Sequence, residues 1–348
     1  MYPEDEMLEA VRRLRALQAG LVLAGLGALS LVVVVVSRRL TRPLKALARS
    51  ADRIATGDLD LTLPAAASRD EVGTLTSTFH HMRDSLKAHI RDLQVTTAAK
   101  ERLESELRVA RKIQMDMLPR GDAGGPAEGY ALAARLVSAR DVGGDLYDHF
   151  VQEGKLFFLV GDVSGKGVPA ALFMARTRTL FQSVVAREVD PGGTLRAMND
   201  GLRVDNDAGM FVTVVCGVLD LGIGELTFAY GGHDAPLMVP SDGPPEFLEV
   251  EGGPALGLLE DRDFPLNRLR LAPGDAVVLY TDGVTEAQNA GEAFFGVEGL
   301  LAAARRFGPE GATALTEGLL GAVREFAGDA PQADDITVMT LSYSPGRE

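Results

Sequence analysis

The sequence predicts an α+β protein, with two stacked β-sheets flanked by helices and a helical N-terminal third. Three observations carry this reading. Residues Leu17–Val36 hold no charged side chain and only Gln18 and Ser30 as polar groups. From Leu40 to Met117 apolar residues recur at spacings of three and four, the signature of amphipathic helices. From Tyr130 onward the period changes, and short β-forming runs alternate with turns while helical stretches come in two blocks.

About 20 consecutive apolar residues cross the hydrocarbon core of a bilayer as a helix. The run at 17–36 is apolar all round, which argues against the buried helix of a soluble protein. It is long and is followed by no small-x-small cleavage site, which argues against a cleaved signal peptide. We therefore expect a retained transmembrane helix at 17–36, after an N-terminal tail at 1–16 too short for a sensor domain. Arg38, Arg39, Arg42 and Lys45 follow the run closely. Although Arg12, Arg13 and Arg15 flank the other side, the positive-inside rule puts the C-terminal side in the cytoplasm. The expectation is a single-pass protein of the cell membrane.

Pro43 opens the next helix, whose stripe is Leu40, Leu44, Leu47, Ala51 and Ile54. Gly57-Asp58 ends it. An extended connector follows, with Leu59, Leu61 and Leu63 alternating and Pro64 closing. Asp70-Glu71-Val72-Gly73 starts a second helix, with Val72, Leu75, Phe79, Met82 and Leu86 on heptad spacing. Two such helices cannot bury their stripes alone, but pairing with a second copy makes a parallel four-helix bundle. In its Pro43 start and its Asp70-Glu71-x-Gly73 motif, the segment 37–90 resembles a HAMP domain. A coiled-coil linker at 91–119 continues it. Leu86, Ile90 and Leu93 extend the stripe, and Leu103, Leu107, Ala110, Gln114 and Met117 resume it. The register slips near Thr97 and Lys100, either as a tolerated imperfection or as a switch point. Pro119 and the glycine-rich Gly121–Gly129 end the helix and mark a domain boundary.

Charge is unevenly spread. Residues 1–118 carry 18 Lys/Arg against 15 Asp/Glu, whereas the remainder carries 17 against 34. So acidic a C-terminal part excludes nucleic acid as substrate, since phosphate backbones demand Lys and Arg. The single Cys216 excludes an intramolecular disulfide framework and reads as a small core residue.

Within 120–345, four carboxylate motifs share one setting. Asp162 follows the apolar run Leu156–Val160 and opens Gly165-Lys166-Gly167. Asp282 ends the run Ala276–Tyr280. Asp145 closes Gly143-Gly144-Asp145, and Asp334-Asp335 precedes Ile336–Leu341. Aspartates at strand ends, with five His in all and no cysteine cluster, suit hard divalent cations such as Mg²⁺ or Mn²⁺. Gly161–Gly167 is not a nucleotide P-loop, because three residues separate its glycines and Gly167 stands where that loop needs a hydroxyl. Gly143-Gly144-Asp145 does not continue as the diguanylate cyclase signature. No glycine-box and asparagine-box set of a histidine kinase is evident.

The four motifs, in this order and spacing, resemble the metal-dependent PP2C-type serine/threonine phosphatases, most nearly the SpoIIE/RsbU branch. Gly231-Gly232-His233-Asp234 adds to the likeness, although that branch more often has Asn at the Asp234 position. The resemblance covers about residues 120–345. It implies an α-β-β-α PP2C-like sandwich and a phosphatase that binds two divalent cations, Mn²⁺ or Mg²⁺. It implies Asp162 as the bridging ligand with the Val163 carbonyl on one ion, and Asp282 and Asp334 on the other. Asp145 would ligate directly or orient a water, and Asp335 could exchange roles with Asp334. His233 reads as a structural residue or a substrate-facing acid. Lys166 reads as a solvated turn residue or a phosphoryl contact, and Arg140 as a surface or phosphate-binding arginine. The implied partner is a phosphorylated regulatory protein, usually an anti-sigma factor antagonist of the STAS type. The heptad stripe from Leu40 to Met117 and the flanking charges lead us to expect a membrane-bound parallel homodimer with its catalytic domain in the cytoplasm. A catalytically silent scaffold for the same regulator is the second reading.

Overall fold

The computed structural model describes residues 4–65, 70–125, 128–187 and 190–345. Pro126 and Ala127 of the glycine-rich boundary lie outside the described residues. Two compact units divide the chain, Met1–Leu103 and Glu104–Glu348.

In the first unit, α1 (Glu4–Val36) passes through one π-helical turn, Ser37–Thr41, into α2 (Arg42–Ala55). The tail expected at 1–16 is thus helical from Glu4, and Pro43 stands in the first turn of α2, as expected, although no break separates α2 from α1. Proline lacks an N–H and its ring clashes with the carbonyl four residues back. The wide turn, in which the Arg42 N–H reaches Ser37 O, lets the helix run through it. Among the described residues this is the one helix long and apolar enough to cross a membrane. The connector folds back on the helices, and Leu61 and Leu63 are buried together with Leu47 and Val72. His80 Nε2 lies 2.9 Å from Pro64 O. Asp70 starts α3 (Glu71–Met117) by accepting from the Val72 and Gly73 N–H groups, both at 3.1 Å. Leu40, Leu44, Leu75, Met82 and Leu86 remain exposed.

The second unit is built from β1 (Asp122–Gly125), β2 (Tyr130–Val137), β3 (Leu146–Gln152) and β4 (Lys155–Val163), then α4 (Val168–Val185) and α5 (Pro191–Arg203). Next come β5 (Val212–Asp220), β6 (Glu225–Gly231), β7 (Leu237–Val239), β8 (Glu246–Phe247), β9 (Leu266–Arg270) and β10 (Ala276–Tyr280). The chain closes with α6 (Asp282–Thr285), α7 (Gly296–Phe307), α8 (Ala312–Ala327) and β11 (Ile336–Tyr343). One sheet has the order β1-β2-β11-β10-β7-β8, the other β3-β4-β5-β6-β9. Every strand pair is antiparallel. Strand side chains alternate between faces, and β10 and β11 show it directly. Val277, Leu279, Met339 and Leu341 join the core shared with β4, β5 and α4. Val278, Tyr280, Ile336 and Val338 pack under α7 and α8. The layers are therefore helix, sheet, sheet, helix, as the sequence led us to expect. Cys216 is a buried free cysteine on β5.

Because β4 is covered on both faces, its apolar run is the most sensitive part of the sandwich. Leu159 is fully buried, so Leu159→Ala should cost about 3 kcal/mol through lost burial and the cavity left behind. The check is the denaturant midpoint of the C-terminal unit, followed by near-ultraviolet circular dichroism. An unshifted midpoint would refute this packing.

Candidate active site

Asp162 is the penultimate residue of β4, held by pairing with Thr213 of β5. The turn that follows is closed by Ser164, whose N–H donates to Phe211 O at 2.9 Å and whose Oγ accepts from Phe211 N at 3.0 Å. Gly165 (φ 84°) and Gly167 (φ 79°) are left-handed, which explains the glycines around Lys166. The apolar helix α4 then starts, with Pro169 in its first turn.

The other carboxylates arrive from both sheets. Asp145 immediately precedes β3 and is buried. Its Oδ2 accepts from Thr281 Oγ1 at 2.8 Å and from Thr337 Oγ1 at 2.6 Å. Those two threonines sit at the ends of β10 and β11, and the Thr337 N–H donates to Thr281 Oγ1 at 2.9 Å. Asp145 thereby ties one sheet to the other. Asp282 opens α6 directly after β10. Asp334 and Asp335 precede β11 and differ sharply. Asp335 is buried and accepts from the Ala139 N–H at 2.7 Å and the Gly144 N–H at 2.9 Å. Asp334 is half-exposed, and its Oδ2 lies 2.8 Å from Lys166 Nζ, which also donates to Ala333 O at 2.7 Å. Lys166 is thus an engaged side chain rather than a free turn residue. The Val163 carbonyl packs against Gly144 so closely that a Cβ there would lie 2.7 Å from it.

Carboxylates so placed repel one another. Burial and then the charge of Asp162 raise the Asp145 pKa well above the usual carboxylate range. Burial and then Asp282 raise that of Asp162. Asp282 is raised by burial, then by Glu286 and Asp334. Asp234 is pushed up to about 6 by burial, then by Asp282 and Glu286. Asp162, Asp234, Asp282 and Glu286 line a cavity of about 340 Å³ together with Thr213, Tyr230 and His233. A second cavity, of about 360 Å³, shares Glu286 with the first and is lined by Lys166, Asp334, Val323, Ala327 and Ile336. His233 is buried, with Nδ1 3.0 Å from Thr213 Oγ1. Burial pulls its pKa down to about 4, so the ring is neutral near pH 7. Arg140 is exposed on the loop before Asp145.

The sequence-selected residues Asp145, Asp162, Val163, Asp282 and Asp334 thus gather at one edge of the sandwich. Among the described residues, however, no three His, Cys, Asp or Glu side chains are arranged to hold a metal ion. Three of the carboxylates are already engaged by other donors. The Asp145 oxygen is spent on two hydroxyls, Asp335 on two backbone amides and Asp334 on a lysine. The donor set itself fits a hard divalent cation, being all oxygen and carrying several carboxylates against one nearby ammonium. Sequence reasoning missed Thr281, Thr337, Asp234 and Glu286 as members of the site. Glu286 had one available signal, a carboxylate one helical turn after Asp282.

Comparison with known proteins agrees with this architecture. The family described as Stage II sporulation protein E (SpoIIE) matches residues 152–344, more than half of the chain, and the HAMP domain family matches residues 35–88. Protein IcfG of Synechocystis is 31% identical over 292 residues, covering 75% of this chain and 45% of its own. Phosphoserine phosphatase RsbU of Bacillus subtilis is 30% identical over 197 residues, covering 56% of this chain and 58% of its own. This chain therefore spans about half the length of these relatives. The SiaA-PP2C domain of Pseudomonas aeruginosa superposes with a TM-score of 0.63 at 24% identity, over 71% of this chain and 99% of that domain. Two sheets with aspartates converging at one edge, and a family match spanning most of the sandwich, establish that the chain belongs to the SpoIIE family of PP2C-fold domains, preceded here by a HAMP domain.

Proposed function

We propose that the chain is a membrane-anchored, metal-dependent protein serine/threonine phosphatase whose substrate is a small phosphorylated regulatory protein. The observation that carries the reading is the convergence of Asp145, Asp162, Asp282 and Asp334 from the ends of both sheets, where burial and neighbouring carboxylates raise the pKa values of Asp145, Asp162 and Asp282. An anti-sigma factor antagonist of the STAS type fits the SpoIIE branch, and the likeness to a phosphoserine phosphatase supports that substrate class.

Asp162, the Val163 carbonyl, Asp282 and Asp334 would hold two cations, Mn²⁺ or Mg²⁺, with Asp145 as a direct or water-mediated ligand. When bound, such ions activate a water and neutralise the phosphoryl oxygens. The protein's own part is positional. Thr281 and Thr337 hold Asp145 through its Oδ2. Asp335, occupied by the amides of Ala139 and Gly144, serves the loop rather than the cleft, which favours Asp334 as the ligand of the pair. Lys166 must release Asp334 for that role, and its ammonium is then free to face a phosphate.

Asp162→Asn and Asp282→Asn each remove a ligand charge and keep the volume. Each should abolish hydrolysis of a phosphoaryl ester while leaving the circular dichroism spectrum unchanged. Wild-type rates at saturating Mn²⁺ would sink the assignment. Activity should vanish in EDTA and return with Mn²⁺ or Mg²⁺, because oxygen-ligand sites hold these ions only moderately. A folded, metal-replete chain without turnover would instead favour the binding-scaffold reading.

The long α3 and the exposed stripe through Leu75, Met82, Leu86, Ile90 and Leu93 support a parallel homodimer whose stalk regulates the phosphatase. One residue inserted after Thr97 turns the helix phase by about 100°. The expected outcome is a changed hydrolysis rate in the membrane-bound dimer with folding intact. An unchanged rate, or crosslinking that finds monomers alone, would reduce the stalk to a tether.

A further inference from the structure

Gln114 occupies what the sequence presents as an ordinary heptad core position near the end of α3. It is buried, yet its side chain does not pack as an apolar residue would. Nε2 donates to Gly143 O at 2.7 Å, and Oε1 accepts from Gly143 N at 3.2 Å. One side-chain amide thus satisfies both backbone groups of a single loop residue, as a neighbouring strand would.

The bonds continue residue by residue. The Gly144 N–H donates to Asp335 Oδ2 at 2.9 Å, and the Asp145 carboxylate accepts from Thr281 and Thr337. Three consecutive residues are therefore pinned from three directions, the first of them by α3. A side chain on Gly143 would overlap the Asp335 carboxylate, so the loop offers its backbone there and nothing else. Glutamine matches that target, because it carries a donor and an acceptor on one reach. Glutamate lacks the donor, and methionine lacks both at similar length.

We propose that Gln114 is a positioning residue, whose amide clamp on Gly143 sets the place of Asp145 and makes the site depend on the rotational phase of the end of α3. The role given to Asp145 rests on the phosphatase reading above, but the clamp itself does not. Releasing it leaves a buried amide and carbonyl unpaired and frees the Gly143 peptide to turn. Displacement of a reacting group by even about 1 Å is costly in a preorganised site.

The test uses the full chain in detergent micelles, with Gln114→Met, Gln114→Glu and a control, Thr316→Val. The control breaks the 2.7 Å Thr316–Thr340 hydroxyl pair under α8. In metal-free protein, both Gln114 variants should speed amide exchange at residues 142–145 about tenfold, the equivalent of one buried hydrogen bond. The control should lower the melting temperature without touching those amides. Calorimetric Mn²⁺ affinity should fall about tenfold in the Gln114 variants, with kcat lowered and KM within about twofold, the pattern of a lost transition-state arrangement. Unchanged exchange at 142–145, or exchange and Mn²⁺ affinity altered equally by the control, would overturn the proposal. Should the unaltered chain bind no Mn²⁺, the phosphatase reading falls, and the exchange comparison decides the clamp by itself.

Discussion

Mutual repulsion among buried carboxylates is the constraint around which the C-terminal unit is built. Asp145, Asp162, Asp282 and Asp334, with Asp234 and Glu286 beside them, would separate if the backbone allowed it. The first four are instead fixed beside the end of a strand or at the start of a helix, next to residues locked in the core. Burial raises the pKa values of Asp145, Asp162, Asp234 and Asp282, because a charged oxygen loses water there. The unfavourable electrostatics are offset by two sheets and four long helices of apolar packing. Strain of this kind is tolerated where the surrounding structure over-determines the geometry.

The same repulsion explains the local polar chemistry. Asp145 accepts from two hydroxyls, Asp335 from two backbone amides, and Asp334 pairs with Lys166. These are three different donors doing one job, namely supplying positive potential to an oxygen cluster. They also divide the carboxylates into two sets. Asp335 is committed to the loop that ends at Asp145, whereas half-exposed Asp334 is paired with the Lys166 side chain. Gln114 extends the fixed set to the helix that precedes the sandwich.

Sequence analysis reached the order of elements, the heptad stripes and the strand-end aspartates because each is a local pattern. A period of two or of three to four needs only a few neighbouring residues to be visible. It placed a helix start at Pro43, which lies in the first turn of α2, but did not foresee the π turn that joins α2 to α1. It left Asp334 and Asp335 interchangeable, since adjacent residues on a strand look alike until their surroundings are known. It placed Gln114 in the heptad stripe beside Leu107 and Met117, and gave Thr281 and Thr337 no role of their own. The significance of the two threonines lies in Asp145, more than a hundred residues away, and that of Gln114 in a loop 29 residues on.

The sequence by itself determined the layer architecture, the apolar N-terminal helix, the acidic character of the site and the kind of ion its oxygens suit. Those properties follow from composition and periodicity, which the chain carries without folding. Only the tertiary structure decided which carboxylates face the cleft and which are spent on amides, that a neutral His233 is buried against Thr213, and that a helix side chain holds the Gly143 backbone. The reason is that hydrogen bonds and pKa shifts act over a few ångströms, and those distances exist only once two sheets have been stacked.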